Sequence, residues 1–147
     1  MRAAPATLFV AEPPAQYIVM PPLVVDCSVL SSAIFEEESR DVALERLKGK
    51  ALHAPYLLEH ELVSVALKKQ RLGWSAESIA LALANHMQSD IALHGTDIEA
   101  QHALAVRYKL SAYDAAYLWL AAELKAPLAT FDEKLAKAAT IHLSALS

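Results

Sequence analysis

Short apolar runs that stop abruptly at a polar residue, separated by stretches of helical period, constrain this chain more than any other feature. Leu23-Val24-Val25 ends at Asp26, Ala51 to Ala54 is closed by Pro55, and Ile91-Ala92-Leu93 precedes His94-Gly95. Pro127-Leu128-Ala129-Thr130 precedes Asp132, and Ile141-His142-Leu143 is a last strand candidate. Apolar runs this short suit buried strands. Between them the spacing predicts helices over about 38–49, 56–72, 75–87, 96–108, 111–125 and 132–139. The first turns Val42, Leu44 and Leu47 inward and stops at Gly49, and the second stops at Gly73. Thr96 with Glu99, and Ser111 with Asp114, fit capping boxes that open two of the others. Strands alternating with helices imply an α/β fold with a mainly parallel central sheet and helices on both faces. In such a sheet the site lies beyond the carboxyl ends of the strands.

The remaining composition narrows the class. At 147 residues with 55 % hydrophobic side chains and three glycines, the chain suits one well-packed domain and neither a disordered nor a fibrous one. Its 17 acids against 13 bases give a net charge of −4, which argues against a module that coats nucleic acid by charge alone. An enzyme that gathers acids to hold cations remains compatible with it. The single cysteine, Cys27, permits no intrachain disulfide, so a reducing, cytoplasmic setting is expected. No run approaches the roughly 20 apolar residues that span a bilayer, so no membrane partner is expected.

Residues 1–22 hold five of the seven prolines, Pro5, Pro13, Pro14, Pro21 and Pro22, and read as an extended leader outside the core. Pro5, Glu12, Pro13 and Pro14 interrupt its faint likeness to a signal peptide. Met20, just before the first strand signal, is a candidate true start, which leaves residues 23–147 as the domain.

The acids are the candidates for chemistry. Asp26 and Asp132 each follow an apolar run and sit at a strand's carboxyl end. Glu61 has Leu57, Leu58 and Val65 at helical spacing, and Asp114 has Leu110, Tyr117 and Leu118. Each has a plain structural reading as well. Asp26 and Asp132 suit helix N-caps, Asp114 suits a first turn, and Glu61 suits the edge of a buried stripe. A sheet that gathers its strand ends could bring all four into one cleft. Their mutual repulsion would then call for cations. Hard oxygen donors suit Mg²⁺ or Mn²⁺, which polarise a phosphodiester and generate hydroxide.

Val24-Val25-Asp26-Cys27-Ser28-Val29-Leu30 resembles the opening motif of PIN-domain proteins. Pro55-Tyr56-Leu57-Leu58-Glu59-His60-Glu61-Leu62 resembles their second motif. Leu110-Ser111-Ala112-Tyr113-Asp114-Ala115-Ala116-Tyr117-Leu118 is similar to the third, and Leu128-Ala129-Thr130-Phe131-Asp132-Glu133-Lys134-Leu135 to the fourth. The resemblance covers roughly residues 23–143 and is closest to VapC-type toxins. It implies a three-layer α/β/α sandwich and a Mg²⁺- or Mn²⁺-dependent endoribonuclease. It also implies a homodimer and a small cognate antitoxin that holds the enzyme inactive. The four acids would be the catalytic and metal-binding residues, with Asp132 the one most suited to act through water. Ser28 and Thr130 would support them through hydroxyls. Ser64 stands where such proteins often carry asparagine, so one supporting hydrogen bond differs. An RNA-processing PIN nuclease and a non-catalytic scaffold retaining the acidic pocket are the competing readings.

Other signals carry less. His60-Glu61 is half of a zinc-protease motif, but residue 64 is serine. Cys27 reads as a small buried filler. Tyr113, Tyr117 and Trp119 read as core and dimer surface in preference to a base-stacking platform. Lys68, Lys69 and Arg71 complement the dipole at the end of the Glu61 helix and are candidate grips for RNA phosphates, with Lys134, Arg107 and Lys109 as further ones.

Overall fold

The computed structural model describes residues 4–14 and 20–146. Along the chain run β1 (Phe9–Ala11), β2 (Pro22–Val25), α1 (Cys27–Ile34), α2 (Arg40–Leu47) and β3 (Ala51–Pro55). There follow α3 (Leu57–Arg71), α4 (Ala76–Gln88), β4 (Ile91–His94), α5 (Ile98–Tyr108), α6 (Ala112–Leu124), β5 (Leu128–Thr130) and α7 (Glu133–Ser144). The strands form one sheet in the order β1-β5-β2-β3-β4, in which β2 to β5 are parallel and β1 is antiparallel on the edge. The architecture is the expected three-layer α/β/α sandwich.

Leu23, Val24, Val25, Leu128, Ala129 and Thr130 are all buried, so β2 and β5 are covered on both faces. That is why their sequences show no polar alternation. Helix α6 packs on β2, β3 and β5. It buries Ala115, Ala116, Tyr117, Leu118, Leu120 and Ala121, an apolar surface that runs most of the way round, as a central helix requires. The alanines bring its backbone close to the strands, and each fully buried leucine adds roughly 2–3 kcal/mol by leaving water. From β2 the chain lays β3 and β4 successively to one side, then returns to place β5 on the other. The carboxyl ends of β2 and β5 therefore flank the switch point where such sheets bind ligands.

Several local expectations change. Helix α1 follows the N-cap reading of Asp26, although its Ser31-Ser32 pair weakens the helical signal that would have marked its length. In α2 the buried residue is Ala43, while Val42 and Leu44 are 43 % and 41 % exposed. The inward face is thus offset from the one that the larger side chains suggest. The cap of α5 is Asp97, which accepts the Ala100 N–H at 3.0 Å, and Thr96 instead donates to Gln101 at 2.7 Å. The expected strand at 141–143 is the last turn of α7, which buries Leu135, Ala136, Ala138, Ala139 and Leu143. A helical period sustained over twelve residues outweighs a three-residue strand-like run.

Part of the expected leader is built into the fold. β1 pairs with β5, Ala11 is 3 % exposed, and the Ser39 hydroxyl accepts the Ala6 N–H at 3.2 Å. Residues 1–3 and 15–19 of that leader lie outside the described residues. Among the described residues, no helix is long and apolar enough to cross a membrane.

Candidate active site

Asp26 leaves the end of β2 and caps α1, its Oδ1 accepting the Val29 N–H at 3.1 Å. The same oxygen accepts the Ser28 hydroxyl at 2.6 Å, and Oδ2 accepts the Thr130 hydroxyl. Those two hydroxyls also tie the first strand end to the second. Ser28 Oγ accepts the Phe131 N–H at 3.0 Å and Thr130 Oγ1 accepts the Asp132 N–H at 2.9 Å. The capping role and a role in chemistry are thus compatible. A carboxylate offers about four acceptor positions, of which these bonds fill three. One direction on Oδ2 is left for a further partner.

Burial pushes the Asp26 carboxyl up to about 6, against the pull of Ser28, Thr130 and the Val29 N–H, and the Asp114 charge adds to the rise. Glu61, in the second turn of α3, is half-buried and also raised. Burial is the main cause, opposed by a 2.7 Å bond from the Tyr117 hydroxyl and reinforced by Asp26 and Asp114. Asp114, in the first turn of α6 with its N–H on Ser111 Oγ at 3.1 Å, is raised by burial and then by Asp132, while Lys134 lowers it. Asp132 is exposed and caps α7 through the Leu135 N–H at 2.9 Å. Repulsion therefore links Asp26, Glu61, Asp114 and Asp132 into one electrostatic cluster at the switch point.

Tyr117 is the group that sequence reading missed. It was expected as core, and it is 1 % exposed, but its hydroxyl orients Glu61. The available signal was its place three residues after Asp114, one helical turn along the same face. Tyr113, also expected as core or dimer surface, is not core at 62 % exposure. With Cys27, Leu57, His60, Glu61, Ser64 and Val65 it lines a groove of about 400 Å³ beside the acids, which is where Ser64 is found. Cys27 is the expected buried filler, its thiol pushed up to about 12 by burial and by the charges of Glu61, Asp26 and Glu37.

The basic candidates separate. Lys134 lies close enough to Asp114 to lower it. Lys68 and Arg71 lie seven and ten residues beyond Glu61, about 10 and 15 Å further along α3. Lys69 is engaged elsewhere, paired with Glu37 at 3.2 Å and over the Trp74 ring at 5.1 Å, so it acts as a structural cation. Arg107 stacks over Tyr108 at 5.1 Å, and Lys109 forms the left-handed C-cap of α5.

Among the described residues, no three His, Cys, Asp or Glu side chains stand together so as to clasp one ion unaided. The donor chemistry nevertheless fits a hard divalent cation. The oxygens are carboxylate, they repel one another, and the buried one keeps an open acceptor direction. Magnesium commonly binds through one or two carboxylates and retains its own water, which asks no more of the protein than this.

The fold is shared with a solved protein. The crystal structure of PAE2754 from Pyrobaculum aerophilum superposes with a TM-score of 0.59 at 21 % identity, covering 78 % of this chain and 77 % of that one. No curated protein matches the sequence. Residues 23–141, which include all four acids, match the PIN domain, and the chain accordingly belongs to the PIN domain family, generally a metal-dependent nuclease fold.

Proposed function

We propose that this chain is an endoribonuclease that uses Mg²⁺ or Mn²⁺ and serves as the toxin of a toxin–antitoxin pair. The observation that carries the nuclease reading is the buried Asp26 carboxylate, braced by Ser28 and Thr130 and sharing its field with Glu61, Asp114 and Asp132. Keeping a carboxylate buried beside other acids costs stability, and such expense is commonest where charge is needed for chemistry. A divalent cation bound there would polarise the scissile phosphodiester and supply hydroxide at neutral pH.

The side chains divide the remaining work. Asp26, held rigid by three hydrogen bonds, offers Oδ2 as a fixed ligand. Tyr117 holds Glu61 through one carboxylate oxygen, so the other would be the one offered to the cation. Asp114 would complete the set around a cation that draws these acids together, and exposed Asp132 would act through water. Lys134 offsets part of the acidic charge where a phosphate must approach.

One feature favours partners. Tyr56, Val63 and Leu67 on or beside α3, with Leu81 and Met87 on α4, are all at least half exposed, which supports a homodimer face or a seat for the antitoxin. The test is cleavage of mixed RNA with Mg²⁺ or Mn²⁺ by wild type, Asp26→Asn and Asp114→Asn. Metal-dependent cleavage by wild type alone is expected. Equal cleavage by all three rejects the assigned site, and an inert wild type freed of any partner favours a scaffold.

A further inference from the structure

His53 and His94 lie on strands that carry none of the four acids, and the chemistry proposed above does not use them. His53 lies within β3 and His94 ends β4, the edge strand. In the parallel register His53 is opposite Ala92 and His94 is opposite Pro55, so the two histidines share one face of the sheet as diagonal neighbours. The small Ala92 leaves room for the rings to meet. His53 Nδ1 and His94 Nε2 come within 2.8 Å, with the rings tilted by 35°. Two other imidazoles meet an oxygen instead: His86 meets Glu59 at 3.0 Å, and His142 meets the Tyr108 hydroxyl at 3.0 Å. At His53 and His94 two ring nitrogens aim at one point, and each can offer a lone pair there.

We propose that His53 and His94 form a nitrogen-donor cation site, separate from the acid cluster, for a divalent ion that favours imidazole, such as Ni²⁺, Cu²⁺ or Zn²⁺. Metal–nitrogen bonds of roughly 2.0–2.1 Å at a right angle set two ligand nitrogens about 2.9 Å apart, and at the tetrahedral angle about 3.4 Å. The pair is therefore spaced for octahedral or square-planar ligation as it stands. Tetrahedral ligation needs it to open by about half an ångström. Burial and the approach of His94 lower His53 from its ordinary value, which keeps the ring in the neutral form that ligates. On binding, the proton between the rings moves to the outer nitrogen of the ring that held it, so the neutral pair ligates without net loss of a proton. Those outer nitrogens, His53 Nε2 and His94 Nδ1, have no hydrogen-bond partner among the described residues and would donate to water, as ligating histidines do. Both histidines are only part-buried, so an ion and its remaining waters can reach them. Magnesium prefers oxygen donors, so the two sites would sort ions by ligand chemistry. An ion here would clip the edge strand β4 to β3 where the His94 carbonyl already accepts the Tyr56 N–H at 3.0 Å, at the entry to the helix that carries Glu61.

The test is calorimetric titration of the tag-free full chain with Ni²⁺ in excess Mg²⁺, which competes for the carboxylates. Wild type is expected to bind one Ni²⁺ per chain in a saturable step, with Cu²⁺ tighter and Mn²⁺ weaker, the order general for nitrogen donors. His53→Gln and His94→Gln each keep a group that can hydrogen-bond across the strands and remove an imidazole. Each is expected to weaken Ni²⁺ binding by at least about 10-fold. His102→Gln, at an exposed histidine, is expected to change nothing. Unchanged affinity in either of the first two variants reduces the pair to a cross-strand hydrogen bond and overturns the proposal. Ni²⁺ binding that disappears in Asp26→Asn belongs to the acids and overturns it too, as does the lack of a saturable step below about 1 mM. Electron paramagnetic resonance of Cu²⁺ on wild type needs no variant, and so decides the matter if a variant fails to fold. Hyperfine structure from two imidazole nitrogens is expected, and a spectrum with oxygen donors alone or with one nitrogen overturns the site. None of these readouts involves RNA cleavage, so this site and the nuclease reading stand or fall separately.

Discussion

Replacing Asp26 by asparagine is expected to abolish cleavage and yet stabilise the free protein at neutral pH. Burial raises this carboxyl from its ordinary 3.8 to about 6. A folded-state value above the unfolded one means that the native protein binds the proton more tightly. Stability is therefore greatest with Asp26 protonated and is lost as pH rises from 3.8 through about 6. A shift of that size corresponds to about 3 kcal/mol at pH 8 and, by the same linkage, to about 1.6 kcal/mol at pH 5. Asparagine carries no charge to desolvate, and its Oδ1 can still accept from Ser28 and Val29. Its amide must face Thr130 Oγ1, which already accepts the Asp132 N–H, and a strained or lost bond there costs about 1 kcal/mol. The net gain is about 2 kcal/mol at pH 8, shrinking by about 1.4 kcal/mol at pH 5. Urea unfolding of both proteins at the two pH values, without divalent cation, measures it. Adding Mg²⁺ should then stabilise wild type more than the variant, because the cation relieves the charge that asparagine lacks. A variant less stable than wild type at pH 8, or a difference that does not change with pH, would refute the reasoning.

Other perturbations separate the remaining roles. Tyr117→Phe removes the hydrogen bond that lowers Glu61, so stability should fall by about 1–2 kcal/mol and half-saturation by Mg²⁺ should shift upward, read by calorimetric titration. Cys27 should resist alkylation at pH 8 in the native protein and react once urea unfolds it, because its buried thiol stays protonated; a fast native reaction would contradict its placement. Lys134→Ala should weaken RNA binding and make it less salt-dependent. Lys69→Ala should instead lower the melting temperature and leave the salt slope unchanged, since Lys69 serves Glu37 and Trp74. A chain beginning at Met20 should melt lower than the full chain, because it lacks the β1 pairing along β5 and the burial of Ala11.

The acid cluster was readable because its members carry local marks. Asp26 and Asp132 interrupt strands at their carboxyl ends, and Asp114 opens a helix beside a serine cap. Those marks depend only on near neighbours. Tyr117 carried none that distinguishes a buried aromatic from one bonded to Glu61, because that partner lies 56 residues away in sequence. The same limit misdirected the reading of α2, where large side chains suggested a face that the packing of α1 assigned to Ala43. The basic run 68–71 likewise looked uniform, and only the approach of Glu37 and Trp74 distinguishes Lys69 from its neighbours.

The sequence by itself determined the alternation of buried strands and helices, the parallel sheet that follows from it, and which carboxylates stand at strand ends. Periodicity, capping chemistry and chain direction are local properties, written within a few residues of one another. Only the tertiary structure decided that β5 returns beside β2, so that Ser28 and Thr130 meet on one carboxylate from positions about a hundred residues apart in the chain. It also drew part of the proline-rich N-terminal stretch into the sheet as β1, because β5 would otherwise expose an unpaired edge. The raised carboxyls belong to this second class. Burial and the charge of distant neighbours set them, and neither exists until the chain has folded.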